Sequence, residues 1–177
     1  MDLIDKELIG KFKKGDRKAF SEIFKLYSDN VYNNAIKLGL NHDDALDIVQ
    51  TTFYKLFKKH YQFKGDSSLL TYIISISLNE IRRKYRKEKI YVDLEDEMDF
   101  SDEDEKRDKD RAERLKEIVN RGLKKIPLKY REVVILKDID GLSIKEISKL
   151  LKISEGSVKT RVRRARLMLK DVLKDEI

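Results

Sequence analysis

The sequence predicts an all-α protein made of two small helical domains joined by an acidic flexible linker. Three observations lead there. The 177 residues contain one proline and seven glycines, so little interrupts a helix. Apolar residues recur at spacings of three and four, and strand-type alternation is scarce. Charge is also divided along the chain. Residues 1–92 hold 18 basic and 12 acidic side chains, and residues 106–177 hold 22 and 12. Between them, DLEDEMDFSDEDE (93–105) holds nine acids and no base. Like charges there repel one another and no apolar period organises them, so the segment is expected to run extended between basic domains. The expected division is 1–92, a linker over 93–110, and 111–177.

The N-terminal domain reads as four helices. The first, about Asp2–Lys13, turns Leu3, Ile4, Leu8, Ile9 and Phe12 inward, and Gly15-Asp16 ends it. The second, about Arg17–Leu38, carries Phe20, Ile23, Phe24, Tyr27, Val31 and Ala35 on one side, with Gly39 as its C-terminal stop. Asn41 caps the third, and Asp43 and Asp44 suit its positive N-terminal end. That helix buries Ala45, Ile48, Val49, Thr52, Phe53, Leu56 and Phe57. A loop from Phe63 to Ser67 leads to the fourth, about Ser68–Lys87, whose core side is Leu69, Ile73, Ile76 and Ile81. Its far end, NEIRRKYRK, is strongly basic.

The C-terminal domain opens with a helix of about Arg111–Lys125 that buries Leu115, Ile118, Val119 and Leu123. Pro127 suits the first turn of the next helix, Leu128–Lys137, which packs Val133, Val134 and Leu136. Gly141 separates it from the most informative stretch, Ser143–Lys170. Ser143 with Glu146 makes a capping box, followed by Ile144, Ile147, Leu150 and Leu151 at helical spacing. Lys152 and Ile153 form a turn, and Ser154 caps a second helix. On that helix Val158, Val162, Ala165 and Leu169 make one apolar stripe, and Lys159, Thr160, Arg163 and Arg164 fall opposite. A helix seated by one face, with long donors on the other, has the layout of a recognition helix in a DNA major groove. Arg166 and Lys170 read as solvated charges.

The totals exclude several classes. A net charge of +7 and a pI near 9.3 favour an acidic partner such as nucleic acid or anionic lipid. There is no cysteine, and His42 and His60 are the only histidines, so no metal site and no cofactor are expected. No apolar run approaches the roughly 18–20 residues that span a bilayer, and the charged N-terminus lacks a signal-peptide core. A soluble, cytoplasmic protein without membrane insertion is expected. No Ser/His/Asp set, metal-ligand spacing or phosphate loop marks an enzyme.

Taken in order, these segments resemble a bacterial RNA polymerase sigma factor of the extracytoplasmic-function (ECF) group, and the likeness covers nearly the whole chain. DALDIVQTTF (44–53) is similar to the family's core-polymerase-binding helix. FKGDSSLLTYI (63–73) looks like its loop and helix start at the −10 promoter element, and Asn79, Arg82 and Arg83 match the continuation. IPLKYREV (126–133), GLSIKEI (141–147) and SEGSVKTR (154–161) resemble the −35-reading domain. The family usually has tryptophan where this chain has Tyr72, and often glutamate where it has Thr51.

The resemblance implies a protein that brings core RNA polymerase to promoter DNA and opens it there, without bond-making residues or cofactors. For the −35 element it implies Lys159, Thr160, Arg163 and Arg164 in the major groove, Ser157 and Arg161 on phosphates, and Gly156 admitting the DNA backbone to the helix start. For the −10 element, Lys64, Asp66, Ser67, Ser68, Thr71 and Tyr72 form a loop able to accept a flipped base, with Asn79, Arg82, Arg83 and Arg86 holding adjacent backbone. Asp44, Asp47, Gln50 and Thr51 would grip the clamp coiled coil of the β′ subunit. A contact with the β flap, an anti-sigma partner, and a linker that threads polymerase channels as a polyanion mimic are implied as well. The alternative is a dimeric helix-turn-helix regulator acting at a palindromic operator.

Overall fold

The protein is described by a computed structural model covering residues 6–92 and 111–174. Every regular element among them is helical: α1 (Lys6–Lys13), α2 (Arg17–Lys37), α3 (His42–Lys58), α4 (Leu69–Val92), α5 (Arg111–Lys124), α6 (Leu128–Val134), α7 (Ile144–Leu151) and α8 (Glu155–Lys174). Short polar side chains close the helix starts by accepting orphan amides. Asp16 accepts from Ala19, Asn41 from Asp44, Ser68 from Thr71, and Ser154 from Ser157. At α7 the capping box forms in both directions between Ser143 and Glu146. The end of α2 is a Schellman turn. Gly39 takes φ 100°, the Leu40 amide donates to the Ala35 carbonyl at 3.1 Å, and the Gly39 amide donates to the Ile36 carbonyl at 2.9 Å.

In the N-terminal half α2, α3 and α4 pack on one another, with α1 against α2. Ile23, Val31, Ala35, Ala45, Leu56, Ile73 and Ile81 lie at the fully buried centre. In the C-terminal half α5, α6 and α7 all pack on α8, sealing Leu123, Val133, Ile135, Ile147, Val158 and Ala165. Each large aliphatic side chain among these contributes about 1.5–3 kcal/mol by leaving water.

Several expectations are corrected. Leu115 is 51% exposed rather than buried; its neighbours Val119 and Leu123 supply the inward side of α5. Pro127 is not in the first turn of α6 but just before it, extended at ψ 142°. The α-helical pitch of α6 ends at Val134, and Ile135–Ile139 form a wider π-type turn in which the Asp140 amide reaches back to the Ile135 carbonyl at 2.9 Å. Helix α4 runs on to Val92, because neither glycine nor proline stops it. Phe24 is 39% exposed, although its ring meets Phe53 edge-on at 4.8 Å. Leu3, Ile4 and the acidic linker lie outside the described residues.

The two halves touch through polar groups as well as through α2 and α5. The Arg131 guanidinium donates through Nη1 to the Leu38 carbonyl, and through Nη2 to the Lys124 and Ile126 carbonyls at 2.6 and 3.0 Å. One cation therefore serves the carbonyl ends of both α2 and α5. Tyr85 Oη donates to the same Leu38 carbonyl at 2.7 Å. Burial pulls the Arg131 pKa below the ordinary arginine value, and Tyr85 offsets part of that. A side chain at position 39 would collide with the Arg131 guanidinium and the Tyr85 hydroxyl, so glycine is needed there for space as well as for its backbone angle. Nearby, Asn34 Nδ2 donates to Asp140 Oδ2 at 2.9 Å.

Candidate functional site

The recognition layout expected of α8 is present. Val158, Val162 and Ala165 are buried and Leu169 is half-buried, while Lys159, Thr160, Arg163 and Arg164 are exposed on the other side. Helix α7 packs against α8 and buries Ile147 and Leu151. The turn between the two helices is closed by Lys152, in the left-handed region at φ 55°. Ser148 Oγ ties that turn by donating to the Ile153 carbonyl at 2.6 Å. Around Gly156 there is open space: a methyl group added there would meet nothing nearer than Ser154 Oγ, at 4.0 Å. The helix start is therefore unobstructed from outside. Ser157 Oγ bonds Ser154 Oγ at 2.9 Å and Arg161 is half-buried. Arg164 also reaches the Tyr130 hydroxyl at 3.5 Å.

Arg166 departs from the expected solvated charge. It forms a two-pronged pair with Asp138, at 2.5 and 2.9 Å, which raises its pKa. Lys170 is exposed and borders a shallow groove shared by Lys159, Arg163, Ile144 and Leu167.

In the loop expected at the −10 element, Lys64, Asp66, Ser67 and Ser68 are exposed. Ser68 and Thr71 are committed to each other: Ser68 Oγ accepts the Thr71 amide at 3.0 Å and bonds Thr71 Oγ1 at 2.8 Å, and Thr71 is buried. Tyr72 is half-buried with its ring 5.2 Å from Phe63, and burial raises the pKa of its hydroxyl. The aromatic floor beside the loop is therefore Phe63 together with Tyr72.

The basic end of α4 divides into two stripes. Asn79, Arg83 and Arg86, spaced by four and three, lie on one side. Asn79 and Arg86 are exposed there, and the Arg83 side chain is 56% exposed although it pairs with Glu80 at 3.2 Å. Arg82 and Tyr85 face the other way, toward the C-terminal half. Arg82 grips Glu132 with Nε and Nη2, both at 2.6 Å, and this bond raises the Arg82 pKa. On α3, Asp47 and Gln50 are exposed beside Leu46 and Tyr54, themselves 41% and 63% exposed. Asp44 is paired with Lys84 at 2.6 Å, and Thr51 is half-buried. The acids that engage these cations, Glu80, Glu132 and Asp138, escaped sequence reasoning. The signal for Glu132 was its place, with Arg131, inside the apolar run IPLKYREVVIL.

Two family profiles match, one described as Sigma-70 region 2 over residues 23–90 and one as Sigma-70, region 4 over residues 116–169. The chain is also 31% identical to the ECF RNA polymerase sigma factor SigW of Bacillus subtilis, over 99% of this chain and 100% of that one. The chain belongs to the ECF sigma factors. It is 27% identical to the ECF sigma-E factor of Escherichia coli, covering 93% and 91% of the two chains. Among solved structures it is similar to RpoE of Bartonella quintana in complex with the anti-sigma factor NepR, with TM-score 0.74, 26% identity, and 89% and 98% coverage. It is equally similar to CnrH in complex with the cytosolic domain of CnrY, with TM-score 0.74, 26% identity, and 98% and 99% coverage. As a sigma factor it binds core RNA polymerase and directs it to promoters. This family is not one of enzymes, and the operator-binding regulator is not favoured. No helix among the described residues is long and apolar enough to cross a membrane, and no cluster of metal-ligating side chains occurs among them.

Proposed function

We infer that this sigma factor divides its work between its halves. Residues 111–177 read the −35 element, and residues 1–92 hold core polymerase and the opened −10 strand. The observation that carries this is the α8 surface: Lys159, Thr160, Arg163 and Arg164 stand outward on a helix whose opposite side is sealed into the domain core. Such a helix enters a major groove without disturbing its own packing. Arg161, Ser157 and the open helix start at Gly156 sit at the edge, suited to phosphate.

In the N-terminal half, strand capture rests on the exposed loop residues Lys64, Asp66 and Ser67 beside Phe63 and Tyr72, with Asn79, Arg83 and Arg86 alongside. Ser68 and Thr71 shape the helix start from which Tyr72 projects. Melting would follow from holding an extruded base there. Asp47 and Gln50, flanked by exposed Leu46 and Tyr54, supply an acidic and apolar grip for the β′ clamp coiled coil, and Asp44 and Thr51 border it. The structure of RpoE with the anti-sigma factor NepR supports an anti-sigma partner for this chain too. A cytoplasmic site of action and the absence of catalytic activity of its own belong to the same reading.

The test is reconstitution. Purified core polymerase is mixed with the protein and challenged with a promoter library. Co-purification and initiation at a defined −35/−10 pair are expected; a protein that binds palindromes as a dimer without core would overturn the reading. Asp47→Lys should abolish co-purification yet leave binding of the isolated chain to duplex DNA unchanged. Arg163→Ala should retain core and lose promoter choice.

A further inference from the structure

The basic end of α4 is where the fold and the function meet in conflict. Arg82 belongs to the set that matches the family's −10 continuation, yet it is turned onto α6 of the other half. Its Nε and Nη2 both donate to the Glu132 carboxylate at 2.6 Å. The Glu132 side chain is only 4% exposed and that of Arg82 30%, so the carboxylate end of the pair is shielded from solvent while the guanidinium stays partly open to it. A guanidinium has one such fork edge on that side, and a carboxylate fills it as a phosphate would. A DNA phosphate brought to Arg82 would also meet the Glu132 charge directly.

The neighbouring contacts reinforce the same arrangement. Tyr85, three residues from Arg82 on the same side of α4, and Arg131, adjacent to Glu132, converge on the Leu38 carbonyl. Asn34 and Asp140 add a further bond across the halves. Arg131–Leu38 and Asn34–Asp140 join residues 93 and 106 positions apart, one in each half, so they report docking of the halves, whereas Tyr85–Leu38 lies within the N-terminal half.

We propose that Glu132 is an internal phosphate mimic: docked on α4, it holds Arg82 away from DNA, so the free chain rests in a form whose −10 surface is partly self-occupied and is released when the halves separate on polymerase. This rests on the reading of Arg82 as a DNA-facing residue. The occupant is this chain's own α6, and the competing ligand is the phosphate backbone of single-stranded DNA. Asn79, Arg83 and Arg86 stay on the outward side in the docked form, so the effect is partial occlusion of one stripe.

The chain has no cysteine, which makes a two-dye experiment clean. Asp29→Cys on α2 and Lys149→Cys on α7, both on exposed positions, report the distance between halves by energy transfer. Anisotropy of a labelled random-sequence single-stranded DNA reports binding by the same full-length protein. Glu132→Gln keeps the side-chain shape but removes the charge. It should lower energy transfer and tighten single-strand binding about tenfold, as the competent fraction rises. Arg82→Gln breaks the same pair from the other side. It should lower energy transfer equally but give no gain in DNA affinity. Circular dichroism of both variants verifies that the helices remain. Unchanged energy transfer in both variants would overturn the latch. If both variants open the molecule and both gain DNA affinity alike, Arg82 is not a DNA contact; that sinks the underlying assignment and the competition together, while leaving the docking itself observed.

Discussion

Two helices of this protein carry basic stripes, and the structure treats them in opposite ways. On α8, the cations Lys159, Arg163 and Arg164 stand outward because the other side of the helix is fully occupied by Val158, Val162 and Ala165. At the end of α4 the helix has outrun its own core. Beyond Ile81 its inward side carries Arg82 and Tyr85. The Arg82 side chain is satisfied by the other half of the protein, and the Tyr85 hydroxyl by the end of α2. Whether a basic helix is free to meet DNA is therefore decided by what its reverse side must bury, and only secondarily by its charge.

That contrast can be broken experimentally, and the largest expected effect is on α8. Arg163→Ala should cost about 1–3 kcal/mol of discrimination between a cognate and a mutated −35 element, measured by competition binding of the holoenzyme, with core affinity unchanged. A loss of the same size and sequence-dependence from Arg86→Ala would erase the proposed difference between the two surfaces. Next comes the frame beneath α8. Ser143→Ala removes half of the α7 capping box and should destabilise the C-terminal half by about 1 kcal/mol in urea unfolding. Smaller again, Arg83→Ala and Arg86→Ala should each weaken DNA binding evenly across sequences and reduce the salt slope by about one.

Two acid groups provide finer tests. Bonds from Ser143 hold the Glu146 carboxyl below its ordinary value of 4.5. Its contribution is thus complete above that value and lost as pH falls through the lower, folded-state value. The urea midpoint of the C-terminal half should fall on acidification in the wild type, and fall less in Ser143→Ala. The smallest effect is expected at Asp140, whose carboxyl is pushed up by burial against the pull of Asn34 and Lys37. The docked form therefore gains as pH drops through that raised value. Asp140→Asn, which keeps an acceptor for Asn34, should leave the energy transfer between halves unchanged or slightly raised, opposite in sign to Glu132→Gln.

Helix existence was legible because the signals are local. Asn41, Ser143 and Ser154 cap where their residue type and position say they should, and the α8 stripe follows from a period of three and four. What the sequence pattern did not announce lies in packing and side-chain partners. Leu115 falls on the expected apolar side of α5 yet is 51% exposed. Nothing within α6 announces that its pitch widens at Ile135. Ser68 and Thr71 read as polar groups of the loop, and in the structure they also bond each other as a local cap at the start of α4. Arg82 looked equivalent to Arg83 and Arg86, and only the partner carried by α6, 50 residues away, sets it apart.

Arg131 has a consequence for how such a molecule comes apart. Two of its three carbonyl partners, Lys124 and Ile126, travel with it, and only Leu38 stays behind. On separation, α5 keeps its cation, and α2 keeps the Tyr85 hydroxyl that also reaches the Leu38 carbonyl. Neither side is left with a raw helix end. If the halves part as proposed, the boundary would act as a resealable seam, along which two finished pieces separate and rejoin without either having to refold.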